Sequence, residues 1–208
     1  MSDALNFLLK ARPEAMAAYF TFLKKSETHL DTRTRDLISV ITKVAVQTEA
    51  GFRQYLTRAL RNGASPNEVL DALMMAFPVL GLAKIVWAAD ILLDMDIPEF
   101  RPENLDAKAD WHDVVAVAEL PEQQTAYYEV DGRHLFVYRN ADEVRIYDSR
   151  CPHQVTDIPH LSLVNGRLTC PKHEWAFDIE TGECVEKGNR PLRRFEHKVE
   201  NGRLLAYW

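Results

Sequence analysis

Apolar residues recur every three to four positions through the first 97 residues and in short alternating runs after Trp111, so the chain changes period once. In "ARPEAMAAYFTFLKK" the spacing is helical, and "DTRTRDLISVITKVAVQTEAGFRQYLTRALRNG" reads as a helical stretch with Asp31 as its start and Gly63 as its stop. Ser65, Pro66 and Glu68 then form a helix start in which the Ser65 side chain caps and Glu68 reaches back to the cap amide. Pro78 and Gly81 are expected to break that helix before "LAKIVWAADILLDM" begins another. The stretch "PEFRPENLDAKAD", residues 98–110, is polar with little to bury and reads as a linker. Beyond it, "TAYYEV" and "RHLFVY" flank Asp131-Gly132, a pair suited to a tight hairpin whose central residues need positive φ. Asn165-Gly166 and Asn201-Gly202 repeat the signal. The pattern predicts a multidomain α plus β protein: an N-terminal all-α helical bundle over residues 1–97, a linker over 98–110 and a C-terminal all-β unit over 111–208.

Composition narrows the partners. A formal charge of -6 lacks the basic face that phosphate binding needs, which argues against nucleic acid. No early stretch combines a basic start, an apolar run and a cleavage site, and no apolar run has the length of a membrane span, so the expected location is the cytoplasm. Three cysteines in 208 residues do not make a disulfide framework; beside histidines in a reducing compartment they point to metal or catalysis.

The chemistry concentrates in "CPHQVTDIPHLSLVNGRLTCPKH", where Cys151 pairs with His153 and Cys170 with His173 across sixteen intervening residues. Structural zinc sites usually take two cysteines from one knuckle and two histidines from a helix, or four cysteines, and this pattern is neither. A two-iron, two-sulfide cluster with thiolates on one iron and imidazoles on the other fits better. The order C-x-H, sixteen residues, C-x2-H, followed by "EWAFDIETGE", resembles the Rieske iron-sulfur family over residues 111–208. The resemblance implies an all-β Rieske-type fold and a [2Fe-2S] cluster, with Cys151 and Cys170 on the inner iron and His153 and His173 on the outer, solvent-facing iron.

The departures are informative. Thr156 and Lys172 stand where high-potential relatives carry a second, disulfide-bonded pair of cysteines, and Trp175 replaces a serine that donates to the cluster. Fewer donors imply a low potential and the ferredoxin and oxygenase branch. Val155 and Glu174 occupy loop positions where many members have glycine. Cys184 reads as a small buried hydrophobe. His112, His134, His160 and His197 read as structural or surface residues. Trp175 and Phe177 are expected to pack in the sheet, with Trp175 also placed to cover the cluster, and Asp178 with Thr181-Gly182 to build the supporting turn.

The helical half resembles the carboxymuconolactone decarboxylase and alkylhydroperoxidase D-like superfamily over residues 15–95, through "LDTRTRDLISVITKVAVQ" and "YLTRALRNGASPNEVLDALMMAFPVLG". Peroxidase members carry an acid followed by C-x2-C-x3-H. Asp36 falls at the acid, but Thr48, Gly51 and Tyr55 fall at the two cysteines and the histidine, so the redox centre is gone. Asp36 is then expected to make an ion pair. What the resemblance leaves is association into a homo-oligomer, a trimer or hexamer. The function expected is electron transfer from a reductase to a terminal oxygenase or hydroxylase, with no catalytic residue of its own; only thirty-five residues follow His173, too few for a mononuclear-iron domain. Two alternatives remain: a redox enzyme binding a small substrate through Asp36, Glu49 and Tyr55, and a redox-sensing assembly protein.

Overall fold

The computed structural model describes residues 3–26, 28–141 and 143–208. Among the described residues six α-helices come first: α1 (Asp3–Ala11), α2 (Pro13–Ser26), α3 (Thr32–Ala45), α4 (Glu49–Arg61), α5 (Pro66–Leu80) and α6 (Leu82–Met95). Ten antiparallel strands follow, β1 (Trp111–Ala116), β2 (Thr125–Val130), β3 (Arg133–Asn140), β4 (Glu143–Asp148), β5 (Leu163–Val164), β6 (Arg167–Thr169), β7 (Ala176–Asp178), β8 (Cys184–Glu186), β9 (Glu196–Glu200) and β10 (Arg203–Tyr207). The α plus β arrangement expected from the two periods is therefore present.

Local signals explain the helix ends. Asp31 caps α3 by accepting from the Thr34 amide at 3.0 Å, and Ser65 and Glu68 form a reciprocal capping box at α5. Two expectations need correction. The stretch from Asp31 to Gly63 is two helices, because Gln47 takes a left-handed φ of 48° and reverses the chain between α3 and α4. Helix α5 runs through Pro78 and stops at Gly81, whose φ of 80° suits glycine. The helical core is built from α3, α4, α5 and α6, with Val40, Val44, Phe52, Leu56, Val69 and Ala88 sealed at its centre. Helix α2 contributes no buried residue, leaving Tyr19, Phe20 and Phe22 exposed.

Residues 98–104 form two short 3-10 turns rather than an extended spacer. Pro98 is buried, and Phe100 packs against the helical core. The strands make three sheets, with orders β1-β10-β9, β2-β3-β4 and β5-β6-β7-β8. Asp131-Gly132, Asn165-Gly166 and Asn201-Gly202 all have positive φ at both residues, as mirror-image hairpin turns require. These turns pin the registers of β2–β3, β5–β6 and β9–β10.

Candidate metal centre

The two cysteine-histidine loops share one backbone frame. In the first, the Cys151 amide donates to the Thr156 carbonyl at 2.8 Å and the Val155 amide to the Cys151 carbonyl at 2.9 Å. In the second, the Cys170 amide donates to the Trp175 carbonyl at 2.8 Å and the Glu174 amide to the Cys170 carbonyl at 2.9 Å. Each frame closes through a left-handed fifth residue, Val155 at φ 49° and Glu174 at φ 55°. These are the two positions where glycine was the family habit. The turn is kept and the strain of a side chain there, severe for β-branched Val155, is held by the surroundings.

Within that frame the thiols lie inside and the imidazoles outside. Cys151 is 1% and Cys170 2% exposed, both inside a core with Phe136, Tyr147, Ile158, Leu168 and Phe177. His153 is half-buried and His173 exposed, their ring centroids 4.6 Å apart and nearly perpendicular. Trp175 lies flat on His153, with ring centres 4.8 Å apart and planes inclined by 7°.

The electrostatics suit metal ligands. The thiols share a hydrogen bond: it pushes Cys151 up, aided by burial, and brings Cys170 down to about 6, aided by the amides of Lys172 and His173. Burial, then the neighbouring His173, lowers His153 to about 4; burial, then Lys172, lowers His173. Both rings are therefore neutral at pH 7, with lone pairs free for a metal. Nδ1 of His153 is buried without a hydrogen-bond partner, the condition a metal bond relieves. Two buried thiols beside two outer imidazoles are a donor set that suits a pair of irons.

Comparison with known proteins matches two parts of the chain. The family model "Rieske [2Fe-2S] domain" matches residues 110–196, and that of the carboxymuconolactone decarboxylase family matches residues 13–94. The ferredoxin component of the alkene monooxygenase system of Xanthobacter autotrophicus is 34% identical over 99 residues, which are 45% of this chain and 77% of that protein. The chain belongs to the Rieske [2Fe-2S] family. The Rieske domain implies a [2Fe-2S] cluster. The ferredoxin component of the naphthalene 1,2-dioxygenase system of Pseudomonas aeruginosa is 27% identical over 46% of this chain and 92% of its own length. Other relatives are much longer: the Rieske chain spans 18% of protein TIC 55 of Arabidopsis thaliana, at 31% identity. Among solved structures, one of the complex of reduced oxygenase and oxidized ferredoxin in carbazole 1,9a-dioxygenase matches with a TM-score of 0.37 and 26% identity, over 46% of this chain and 91% of that one.

The remaining candidates fall into place around the centre. Asp178 accepts from the Thr181 amide and hydroxyl at 2.8 and 2.9 Å, building the turn behind the second loop. Cys184 is half-buried, with Sγ 3.4 Å from the Glu186 carbonyl. His112 stacks on Trp208 and bonds Asp131, His134 bonds Asp157 at 2.7 Å, and His160 is exposed beside Tyr127. Burial lowers His197. In the helical unit Asp36 is fully buried, engaged by Arg58 and, at 2.6 Å, by Asn62. Glu49 pairs with Arg53 at 2.9 Å, and Tyr55 lies between Lys43 and Arg58. The carboxylates of Asp36 and Glu49 are thus occupied structurally.

Sequence reading passed over three residues around the loops. Arg150 donates from Nη1 to the Met95 and Val155 carbonyls at 3.1 and 3.2 Å and from Nη2 to the Asp96 carbonyl. Arg190 donates to the Pro152 carbonyl at 2.9 Å and faces the Trp175 ring. Gly188 leaves the space in which Trp175 sits. None lies in a periodic pattern; only closeness to the ligand motif marks Arg150.

Proposed function

We propose that this protein is an electron carrier of an oxygenase system, with Cys151 and Cys170 holding one iron and His153 and His173 the other. The observation that carries the reading is the repeated loop frame that presents two buried thiols and two neutral outer imidazoles. When bound, such a cluster would supply storage for one electron. The protein's own residues do the rest. The amides of His153, Lys172 and His173 donate to the two sulfurs and offset thiolate charge. Trp175 shields His153, and exposed His173 offers the edge through which a docked partner exchanges the electron.

The partners that follow are a reductase as donor and a terminal oxygenase or hydroxylase as acceptor. The relatives named above support the acceptor, since two are ferredoxin components of a monooxygenase and a dioxygenase system. No described helix is long and apolar enough to cross a membrane, and three free cysteines suit a reducing compartment such as the cytoplasm. We place the division between helical unit (1–97) and cluster unit (111–208) in residues 98–110. The helical unit serves oligomerisation, into a trimer or hexamer; the unburied aromatic residues of α2 and exposed Met74, Met75 and Val79 of α5 supply the faces.

Electron paramagnetic resonance of the chemically reduced protein, with iron and acid-labile sulfide measured on the same sample, tests the cluster. A mixed-ligand two-iron signal is expected; zinc, or neither metal, would refute the assignment. Light scattering tests the oligomer, and a single monomeric species at micromolar concentration would remove it.

A further inference from the structure

Between the helical unit and the first ligand loop lies a cavity of about 620 Å³, within the range that small organic ligands occupy. Leu60, Ala64 and Ile97 line it from the helical side, and Val155, Pro191 and Leu192 from the cluster side. Of its charged lining residues, Glu99 is held by Arg133 at 2.7 Å and Arg193 at 3.0 Å, and Asp148 by Arg133 at 2.7 Å. Arg150 is spent on the Met95, Asp96 and Val155 carbonyls. That leaves Arg61 and Arg190. Among the described residues Arg61 has no hydrogen-bond or ion-pair partner, and Arg190 donates once, to the Pro152 carbonyl, with no carboxylate beside it. Burial, then the charge of Arg61, lowers the Arg190 guanidinium, as placing one half-buried cation near another should do.

We propose that this cavity binds a small organic carboxylate, its anionic end held by Arg61 and Arg190 and its apolar body against Leu60, Ile97 and Leu192. Two guanidinium forks match a carboxylate in geometry and charge, and the apolar lining selects against a bare inorganic anion. The site also reaches the metal centre. Arg190 holds the carbonyl of Pro152, between Cys151 and His153, and Cys151 itself lines the cavity. An anion there offsets the positive field beside the first loop, so occupancy lowers the cluster's reduction potential. By reciprocity, the reduced protein binds the carboxylate more weakly than the oxidised one. This coupling rests on the ligand assignment above; the binding itself does not.

Calorimetric titration of the full-length oxidised protein with benzoate, phenylacetate and cyclohexanecarboxylate tests the site, with benzamide and inorganic phosphate as controls. Saturable binding of at least one carboxylate is expected, with no binding of the controls. Arg61→Gln should weaken it about tenfold or more, the loss of charge-assisted hydrogen bonds. Arg61 is exposed and, among the described residues, has no hydrogen bond or ion pair to lose, so folding and iron content should be unchanged. Failure of all three carboxylates to saturate, phosphate binding as tightly as they do, or undiminished affinity in Arg61→Gln overturns the proposal. Should Arg61→Gln not fold, Arg190→Lys, which keeps the charge but loses the fork, is expected to weaken binding, and unchanged affinity there overturns it equally. An unchanged potential on saturation would sink the coupling alone.

Discussion

The seat of Trp175 can be tested from both sides. The ring is 7% exposed and lies on His153, while Gly188 lies against its Cδ2 and Cε3 edge, with Cys184 Sγ beside Gly188. Burying about 200 Å² of indole at about 25 cal/mol per Å² is worth about 5 kcal/mol, and truncation to alanine in a core costs about 3–5 kcal/mol. Trp175→Ala should therefore unfold at markedly lower denaturant and lose iron to a chelator faster. Gly188→Ala keeps the ring but drives a methyl into Trp175 Cδ2 and Cε3 and to 2.7 Å from Cys184 Sγ. Gly188 does not have positive φ, so the backbone adds no penalty and the cost is overpacking, about 1–3 kcal/mol. In a Trp175→Ala background that collision is gone, and Gly188→Ala should cost only what Cys184 imposes. Urea unfolding, followed by cluster absorption and circular dichroism on all four proteins, measures the coupling, expected at about 1–2 kcal/mol. Strict additivity would refute this account of how the ring is seated, and wild-type iron retention in Trp175→Ala would refute its role as a cover.

His173→Cys should keep the cluster but lower its potential by adding a negative ligand, whereas Cys170→Ala should lose most iron; redox titration and metal analysis read both outcomes. Asp36→Asn should cost about 3 kcal/mol in thermal or urea unfolding by leaving Arg58 short of its counter-charge, yet leave the cluster's spectrum and electron-transfer rate intact. Glu99 is pushed up by burial, but Arg133 and Arg193 override this and hold it at about 2, below its ordinary 4.5. Its contribution is thus complete above pH 4.5 and lost as pH falls toward 2. Allowing for screening of its exposed third it is worth about 2 kcal/mol, and Glu99→Gln should remove that at pH 7 and flatten the acid limb of a tryptophan-fluorescence unfolding profile.

What could be read in the chain was whatever a local residue pattern determines. Ser65-Pro66-Glu68 and the three Asp-Gly and Asn-Gly pairs specify their own backbone, and they appear as expected. The ligand motif was legible because cysteine and histidine at that spacing have few bland explanations. The break at Gln47 was not legible, since no glycine or proline marks it and tertiary packing of α3 on α4 decides it. Pro78 misled because it lies in the last turn of α5, where little helix remains to disrupt. Val155 and Glu174 misled differently. Glycine there is an economy, not a necessity, because the frame's two hydrogen bonds hold a left-handed residue of either kind.

The packing around Arg150 bears on how the two halves work together. The chain reverses out of α6 through left-handed Asp96, leaving the Met95 and Asp96 carbonyls at the negative end of the helix. The guanidinium that meets them belongs to the residue immediately before Cys151, and it also holds the carbonyl of Val155, whose side chain packs on the helical core. The first ligand loop is therefore fastened to the helical unit at both ends of its turn, whereas Pro171, Lys172 and His173 of the second loop are exposed. Such an arrangement leaves the second loop the more open of the two. Arg150→Gln removes the bonds to the Met95 and Asp96 carbonyls while leaving Cys151, His153, Cys170 and His173 in place, so it should raise amide exchange in residues 95–100 and 151–156 together by about tenfold or more, the loss of two or three charge-assisted bonds. If exchange rises in only one of the two segments, the helical unit is not part of the cradle, and the first loop owes its left-handed Val155 to its own hydrogen bonds alone.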